Sequence, residues 1–251
     1  MTRPHLIHTE AIVIKRVDFG EADKIITLYT PNAGKLRAVA KGVRRPSSRL
    51  GGHVEMFTYS DMLLARGRNL DIVTQSQTLD AFIGMRDDLW RTSCASYVGE
   101  IVDQFTEENL ENYPVFELLK RTFERLANWR QPDMAVRLFE MQLLDHLGYR
   151  PELHRCLKCN QEVAAAPNYF SPSSGGILCP ECGRASASAQ PVSVNTQKVL
   201  RVLQVNDAET ASRLRLDEAV QSEVEATLRT YIRYILEREP KSLGVLKAIR
   251  R

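Results

Sequence analysis

The pattern of apolar and polar positions changes character near residue 83. Upstream, Ile12, Val13, Ile14 and Val17 precede a Phe19-Gly20 break, Ile25 to Thr30 is β-branched and aromatic, and Pro31-Asn32-Ala33-Gly34 predicts a turn before Leu36, Val39 and Val43. Two more runs, Phe57 to Ala65 and Leu70 to Thr78, flank Gly67-Arg68-Asn69, a loop suited to a hairpin. Five short strands with few helical crossovers suggest a small closed barrel or a sandwich; the five-stranded oligonucleotide-binding (OB) barrel fits that count, and so does an SH3-like barrel.

Downstream the period becomes helical. Trp90, Cys94, Tyr97, Ile101 and Phe105 recur at spacings of three and four. Val115 to Leu126 predicts a second helix opened by Pro114. A third starts near Pro132, carries Val136, Phe139, Leu143 and Leu147 on one face, and stops at Gly148 before Pro151. Val199, Leu200 and Leu203 mark a short helix, and Val220, Val224, Leu228, Tyr231 and Ile235 a longer one ended by Pro240. Ala185-Ser186-Ala187-Ser188-Ala189 reads as a flexible stretch. The expected class is α+β, with a barrel domain over residues 1–83 and a helical domain over 84–251 that is interrupted at 151–191 by a cysteine-bearing insert.

That insert carries the most specific motif, Cys156-Leu157-Lys158-Cys159 and Cys179-Pro180-Glu181-Cys182, with 19 residues between the pairs. Two residues between thiolates let one tight turn present both sulfurs to one ion, and two such knuckles complete a tetrahedral four-sulfur shell. Zinc is the expected occupant, with iron or an empty site as the alternatives. Four protein ligands leave no position for substrate, so the metal is expected to be structural. His8-Thr9-Glu10 resembles half of a zinc-deaminase motif, but Arg155 and Leu178 rather than proline precede the cysteine pairs. The fifth cysteine, Cys94, falls on an apolar helical stripe and reads as a core thiol.

Composition matters here mainly through where the charge falls. The 251-residue chain has 34 Lys+Arg and 31 Asp+Glu, a formal net charge of +3 that names no partner. Between Gly34 and Val54, however, stand Lys35, Arg37, Lys41, Arg44, Arg45 and Arg49 with no acidic residue. Arg66 and Arg68 follow at the next hairpin. Residues 84–150 are the acidic counterpart, with 12 acidic and 8 basic side chains. Lys241, Lys247, Arg250 and Arg251 form a basic tail. Six uncompensated cations on a barrel suit a phosphate chain, and six single-strand phosphate contacts would give a salt slope of about −4. Solvation of a strand edge is the plainer use of such charges, and a peptide-binding SH3-like barrel is the competing class. There is no Walker-type phosphate loop or paired acidic nuclease motif, so no enzymatic role is expected. Met1 to His5 lack a signal-peptide apolar core, and no apolar run reaches about 18 residues, which together predict a cytoplasmic protein.

Several motifs together resemble a known family. Glu10-Ala11-Ile12-Val13-Ile14, Gly20 to Thr30, Gly34-Lys35 to Arg44-Arg45, and Ser48-Arg49-Leu50 look like the N-terminal signature of the bacterial recombination mediators called RecO. Leu147-Gly148-Tyr149-Arg150-Pro151 before the first cysteine pair, and Tyr169-Phe170-Ser171 with Gly175-Gly176 before the second, continue the likeness. The resemblance implies an OB barrel, a helical C-terminal domain and a zinc knuckle. It also implies binding to single- and double-stranded DNA, ATP-independent annealing, and cooperation with RecR to load RecA onto DNA covered by single-stranded DNA-binding protein. Carried over by position, Lys35 to Arg49 would contact DNA and the four cysteines would bind zinc. No aromatic residue lies between Lys35 and Val54. Tyr29, Phe57 and Tyr59 are the candidates for base stacking, and backbone-dominated binding is expected.

Overall fold

The computed structural model describes residues 6–205 and 207–249, which divide into two compact units. One contains the chain up to Asn128 and the segment from Lys241 onward; the other is Trp129–Pro240. Arg250 and Arg251 of the basic tail lie outside the described residues, as does the side chain of Lys247.

The first unit is organised by strands β1 (Leu6–Phe19), β2 (Asp23–Thr30), β3 (Gly34–Ala40), β4 (Tyr59–Ala65) and β5 (Asp71–Asp80), closed into a barrel of order β1-β2-β3-β5-β4. Closure depends on β1, which is long enough to serve two neighbours. Leu6 to Ile12 pair with Ala65 to Tyr59 of β4, and Ile12 to Phe19 pair with Tyr29 to Asp23 of β2. A register shift between Val13 and Lys15 lets the strand bend around the barrel. The last seam is parallel, with Ala38 opposite Asp71 and Val39 opposite Ile72. A meander of SH3 type has no such seam, so the order identifies an OB-type barrel. Period-two alternation fills the interior: Ala11 and Val13, Ile26 and Leu28, Leu36, Ala38 and Ala40, Met62 and Leu64, and Val73 form one buried cluster. Truncating Ile26 or Leu28 to alanine should cost about 2–5 kcal/mol.

Helices α1 (Ile83–Arg86), α2 (Leu89–Phe105) and α3 (Tyr113–Asn128) complete this part of the chain. Asp88 caps α2 by accepting a hydrogen bond from the Arg91 N–H. The predicted stripe is buried at Cys94, Tyr97 and Ile101 and half-buried at its ends, Trp90 and Phe105. Cys94 is thus a core thiol.

The second unit begins with α4 (Pro132–His146), whose first residue is the predicted proline and which is buried around most of its circumference. A small sheet of order β7-β6-β8 follows, from β6 (Asn168–Ser171), β7 (Gly176–Leu178) and β8 (Gln190–Val192), with α5 (Pro180–Arg184) between β7 and β8. The Ala185–Ala189 stretch that composition marked as flexible is a turn tied to its surroundings. The Ser186 N–H donates to the Gly183 carbonyl at 3.0 Å and Ser188 Oγ lies 2.7 Å from Ser173 Oγ. Helices α6 (Val194–Gln204), α7 (Ala208–Arg213) and α8 (Glu218–Leu236) then pack on α4. Glu223 of α8 accepts hydrogen bonds from the Ser193 N–H at 2.7 Å and from Thr196 Oγ1 at 2.6 Å, fastening the start of α6.

A final helix, α9 (Ser242–Ile249), returns to the first unit and packs on α2 through Leu243 and Leu246. Its N-terminus is capped by Glu100, which accepts the Lys241 and Ser242 N–H groups at 2.8 Å each. Burial opposes ionisation of Glu100, yet hydrogen bonds from Ser242 and Lys241 outweigh it and hold the carboxyl below its ordinary range. Among the described residues no helix is long and apolar enough to cross a membrane.

Candidate nucleic-acid interface and metal centre

The long connection from β3 to β4 carries Lys41, Arg44, Arg45 and Arg49. It is pinned at its start against the β1–β2 turn. The Gly42 N–H donates to Asp23 Oδ1 at 2.7 Å, the Arg44 N–H donates to the Ala22 carbonyl at 2.9 Å, and the Arg44 guanidinium lies 3.5 Å from Asp18. Val43 and Val54 from the same connection are buried in the barrel cluster. Lys24, donating at 2.5 Å, holds the Asp18 carboxyl below its ordinary range, with Arg44 and Arg16 adding to the effect. Among the described residues Lys41, Arg45, Arg49 and Arg68 have no carboxylate within ion-pairing distance, and the side chains of all four are exposed.

The remaining predicted cations are placed differently. Arg66 and Arg68 on the β4–β5 hairpin face Arg37 across a groove of about 940 Å³ that also includes Asn32, Asp71 and Glu108. Arg66 lies 3.7 Å from Asp71, and Arg37 lies 3.8 Å from Glu108. Lys35 is turned away from solvent, its side chain only 10% exposed. Its ammonium donates to the Asp103 carbonyl at 2.6 Å and to Asp103 Oδ1 at 3.1 Å. Alternation puts Lys35 and Arg37 on the same outer face of the barrel, but the chain following α2 bridges to the backbone of Lys35, where the Asn109 N–H donates to the Lys35 carbonyl at 2.9 Å, and meets Arg37 only through the Glu108 carboxylate. Burial opposes ionisation of Asp103, and hydrogen bonds from Lys15 and Lys35 overcome it and hold the carboxyl low.

None of the three candidate stacking aromatics is available. Tyr29, Phe57 and Tyr59 are all buried, Phe57 edge-on to Phe123 at 5.4 Å and Tyr59 edge-on to Phe116 at 6.3 Å. The exposed aromatic near the basic loop is Phe19, at the end of β1. The Lys15-x-Val17-x-Phe19 alternation was its signal, because it puts Phe19 on the same side as a charged, solvated residue.

In the second unit the four cysteines converge. Cys156 opens a tight turn in which the Asn160 N–H donates to the Cys156 carbonyl at 2.8 Å, and Cys179 caps α5 with Pro180 in its first turn. The Leu157 N–H donates to the Ile177 carbonyl at 3.1 Å, joining the two knuckles. All four sulfurs lie within 4.8 Å of one another, and Cys159 Sγ is 3.8 Å from Cys179 Sγ. A tetrahedral shell with metal–sulfur bonds of about 2.3 Å has edges of about 3.8 Å, so the cluster fits such an ion. Burial raises the Cys156 thiol, but N–H groups of Cys159, Cys179 and Lys158 aimed at its sulfur bring it down to about 6. Cys182 is pushed up to about 12, first by its hydrogen bond with Cys179, then by burial and the other sulfurs. Crowded thiols share protons in this way until a cation displaces them. His154, beside the first knuckle, is outside the cluster.

Comparison with known proteins covers both halves of this description. Residues 1–82 match the family model for the recombination protein O N terminal, and residues 86–244 the model for the recombination protein O C terminal. The "DNA repair protein RecO" of Dehalococcoides mccartyi strain 195 is 43% identical over 251 residues, covering 100% of this chain and 99% of that protein. The protein of the same name from Roseiflexus sp. strain RS-1 is 45% identical over 248 residues, covering 99% of this chain and 87% of that one. In Pelotomaculum thermopropionicum the identity is 39% over 243 residues, 96% of this chain and 93% of its relative. With an OB-type barrel, a helical remainder and full-length relatives of one name, the chain belongs to the RecO family of DNA repair proteins.

Proposed function

We propose that this protein is a DNA-binding recombination mediator that anneals complementary strands and, with RecR, helps to load RecA onto single-stranded DNA covered by single-stranded DNA-binding protein in the cytoplasm. The observation that carries the DNA-binding part is the β3–β4 connection, where Lys41, Arg45 and Arg49 project from a pinned loop with no carboxylate partner among the described residues. Cations held in place and left unneutralised are available to phosphates, single- or double-stranded, without selecting sequence. Annealing is opposed by repulsion between two phosphate chains, and a surface that neutralises both lowers that barrier with no covalent step. The protein is accordingly not an enzyme. The roles of RecR, RecA and the single-strand-binding protein are what family membership suggests.

The four cysteines would hold a zinc ion, whose contribution is to cross-link the two knuckles and hold the insert together. The test of function is charge reversal: R45E/R49E should lose strand annealing at least tenfold with metal content and thermal unfolding unchanged. Annealing at the wild-type rate by that variant would remove the loop from the mechanism.

A further inference from the structure

The outer face of the barrel carries an apolar row that the fold leaves uncovered. Register places Val17 of β1 beside Ile25 of β2, and Ile25 beside Val39 of β3. Phe19 stands next to this row at the end of β1. Val17 is 54% and Phe19 51% exposed, while Ile25 and Val39 are half-buried. Single exposed apolar residues need no explanation, but a continuous row across three strands does.

Its surroundings specify what would cover it. Phe19 is flanked by Asp18 and Gly20, and both are held by Arg44: the guanidinium lies 3.5 Å from Asp18 and donates to the Gly20 carbonyl at 3.4 Å. The basic loop is therefore fastened to the residues on either side of the aromatic ring, and Lys41 and Arg45 belong to the same loop, three residues before Arg44 and one after it. Lys15 and Arg37 border the next row, opposite each other through Thr27. The acids at that edge, Asp103 and Glu108, are already paired with Lys15 and Arg37. Asp18 and Asp23 next to Phe19 are occupied by the basic loop, Asp18 by the Arg44 guanidinium and Asp23 by the Gly42 N–H. An apolar ledge beside a loop of unmatched cations matches one ligand chemistry well: a polyanion with flat apolar groups between its charges.

We infer that this ledge seats unpaired bases of a single nucleic-acid strand, with Phe19 as the stacking platform and the loop cations on the adjoining phosphates. The inference rests on the nucleic-acid reading above and deepens it. A duplex keeps its base faces stacked inside and offers the ledge nothing, so Phe19 distinguishes single strands where the loop cations do not. Stacking also engages the face of a base and leaves its pairing edge free. A strand held this way is displayed for a complementary strand, which phosphate contacts alone would not achieve.

Fluorescence anisotropy of the full-length protein on an oligo-dT and on a blunt duplex of equal length, each over a range of salt, tests this. F19A should weaken single-strand binding about 5- to 150-fold, the range of losses when a base-stacking aromatic is removed, while duplex affinity changes less than twofold. The salt slope should be unaltered because no phosphate contact is removed. F19W should retain single-strand affinity, and its added tryptophan emission should be quenched by oligo-dT and not by the duplex. Phe19 is half exposed, so neither change threatens the fold, and thermal unfolding of both variants checks this. F19A with wild-type affinity for oligo-dT, or with equal losses on both ligands, overturns the ledge while leaving the basic loop intact. Wild-type protein that binds neither ligand overturns the nucleic-acid reading and the ledge with it.

Discussion

Salt dependence of single-strand binding counts the cations that meet phosphates, and the structure changes that count. Of the six basic residues between Lys35 and Arg49, Lys35 is committed to Asp103 and Arg37 lies within 3.8 Å of Glu108. On the β3–β4 connection Arg44 lies 3.5 Å from Asp18, which leaves Lys41, Arg45 and Arg49. At about −0.7 per single-strand contact, three give a slope of log K against log salt of about −2.1, where six would give about −4.2. Between 50 and 200 mM salt the expected loss is thus about 20-fold, against about 300-fold for six. Removing Arg45 should bring the slope to about −1.4, and R45A/R49A to about −0.7. Lys35 is the discriminating control. K35A should leave the slope at its wild-type value but destabilise the barrel by about 1–3 kcal/mol, since Asp103 then keeps only Lys15 as its ion-pair partner. Anisotropy titrations at four salt concentrations, with thermal unfolding of each variant, measure both quantities. A folded K35A protein whose slope falls by about 0.7, or an R45A protein whose slope does not move, would refute the assignment of these side chains.

Other consequences are independent of DNA. C179S should abolish stoichiometric zinc, measured by elemental mass spectrometry, and expose residues 151–191 to limited proteolysis, because apparent binding free energies of zinc knuckles are about 10–16 kcal/mol; full protease resistance without metal would show the ion to be dispensable. G183A should weaken the same module, since a Cβ there would sit 2.3 Å from the Tyr169 ring, and faster zinc loss to a chelator is the readout. The Glu100 clamp on α9 gives a pH dependence of definite sign. Its carboxyl is held below the ordinary range when folded, so its contribution is complete above the unfolded-state value of about 4.3 and disappears as pH falls through the folded value. E100Q should therefore unfold earlier at pH 7 by about 1 kcal/mol and show a shallower loss of stability on acidification; parallel pH profiles for the two proteins would contradict this.

The elements legible in the sequence were those fixed by short-range pattern. Alternation located the strands because each has one face in the barrel core. The C-x-x-C pairs announced a cluster because two intervening residues restrict a turn so tightly. The proline before Asp133 marked a helix start because its ring fixes φ and costs no intrahelical hydrogen bond. What stayed hidden depends on distant chain. The parallel β3–β5 seam joins residues more than thirty apart, with no turn signal to announce it. Lys35 and Arg37 looked equivalent because alternation reports which side of a sheet a residue faces, not what lies over it. Phe57 and Tyr59 were ambiguous for the same reason, and α3 resolves them by burying both.

The same distinction governs charge. Summed along the chain, residues 84–150 are acidic and the strands before them basic, which suggests two surfaces for two kinds of partner. In space, part of that acidity is spent on the barrel itself. Asp103 neutralises Lys15 and Lys35, and Glu108 approaches Arg37, so the α2 end cancels the positive charge of the outer strands near it. The β3–β4 connection meets Asp18 through Arg44 and Asp23 through the Gly42 N–H, and keeps Lys41, Arg45 and Arg49 without an ion-pair partner among the described residues. Positive potential is thereby concentrated at one end of the barrel, beside Phe19, rather than spread along the strands. A phosphate chain following that potential passes the exposed ring, which ties the electrostatic site and the apolar ledge to a single path for the strand.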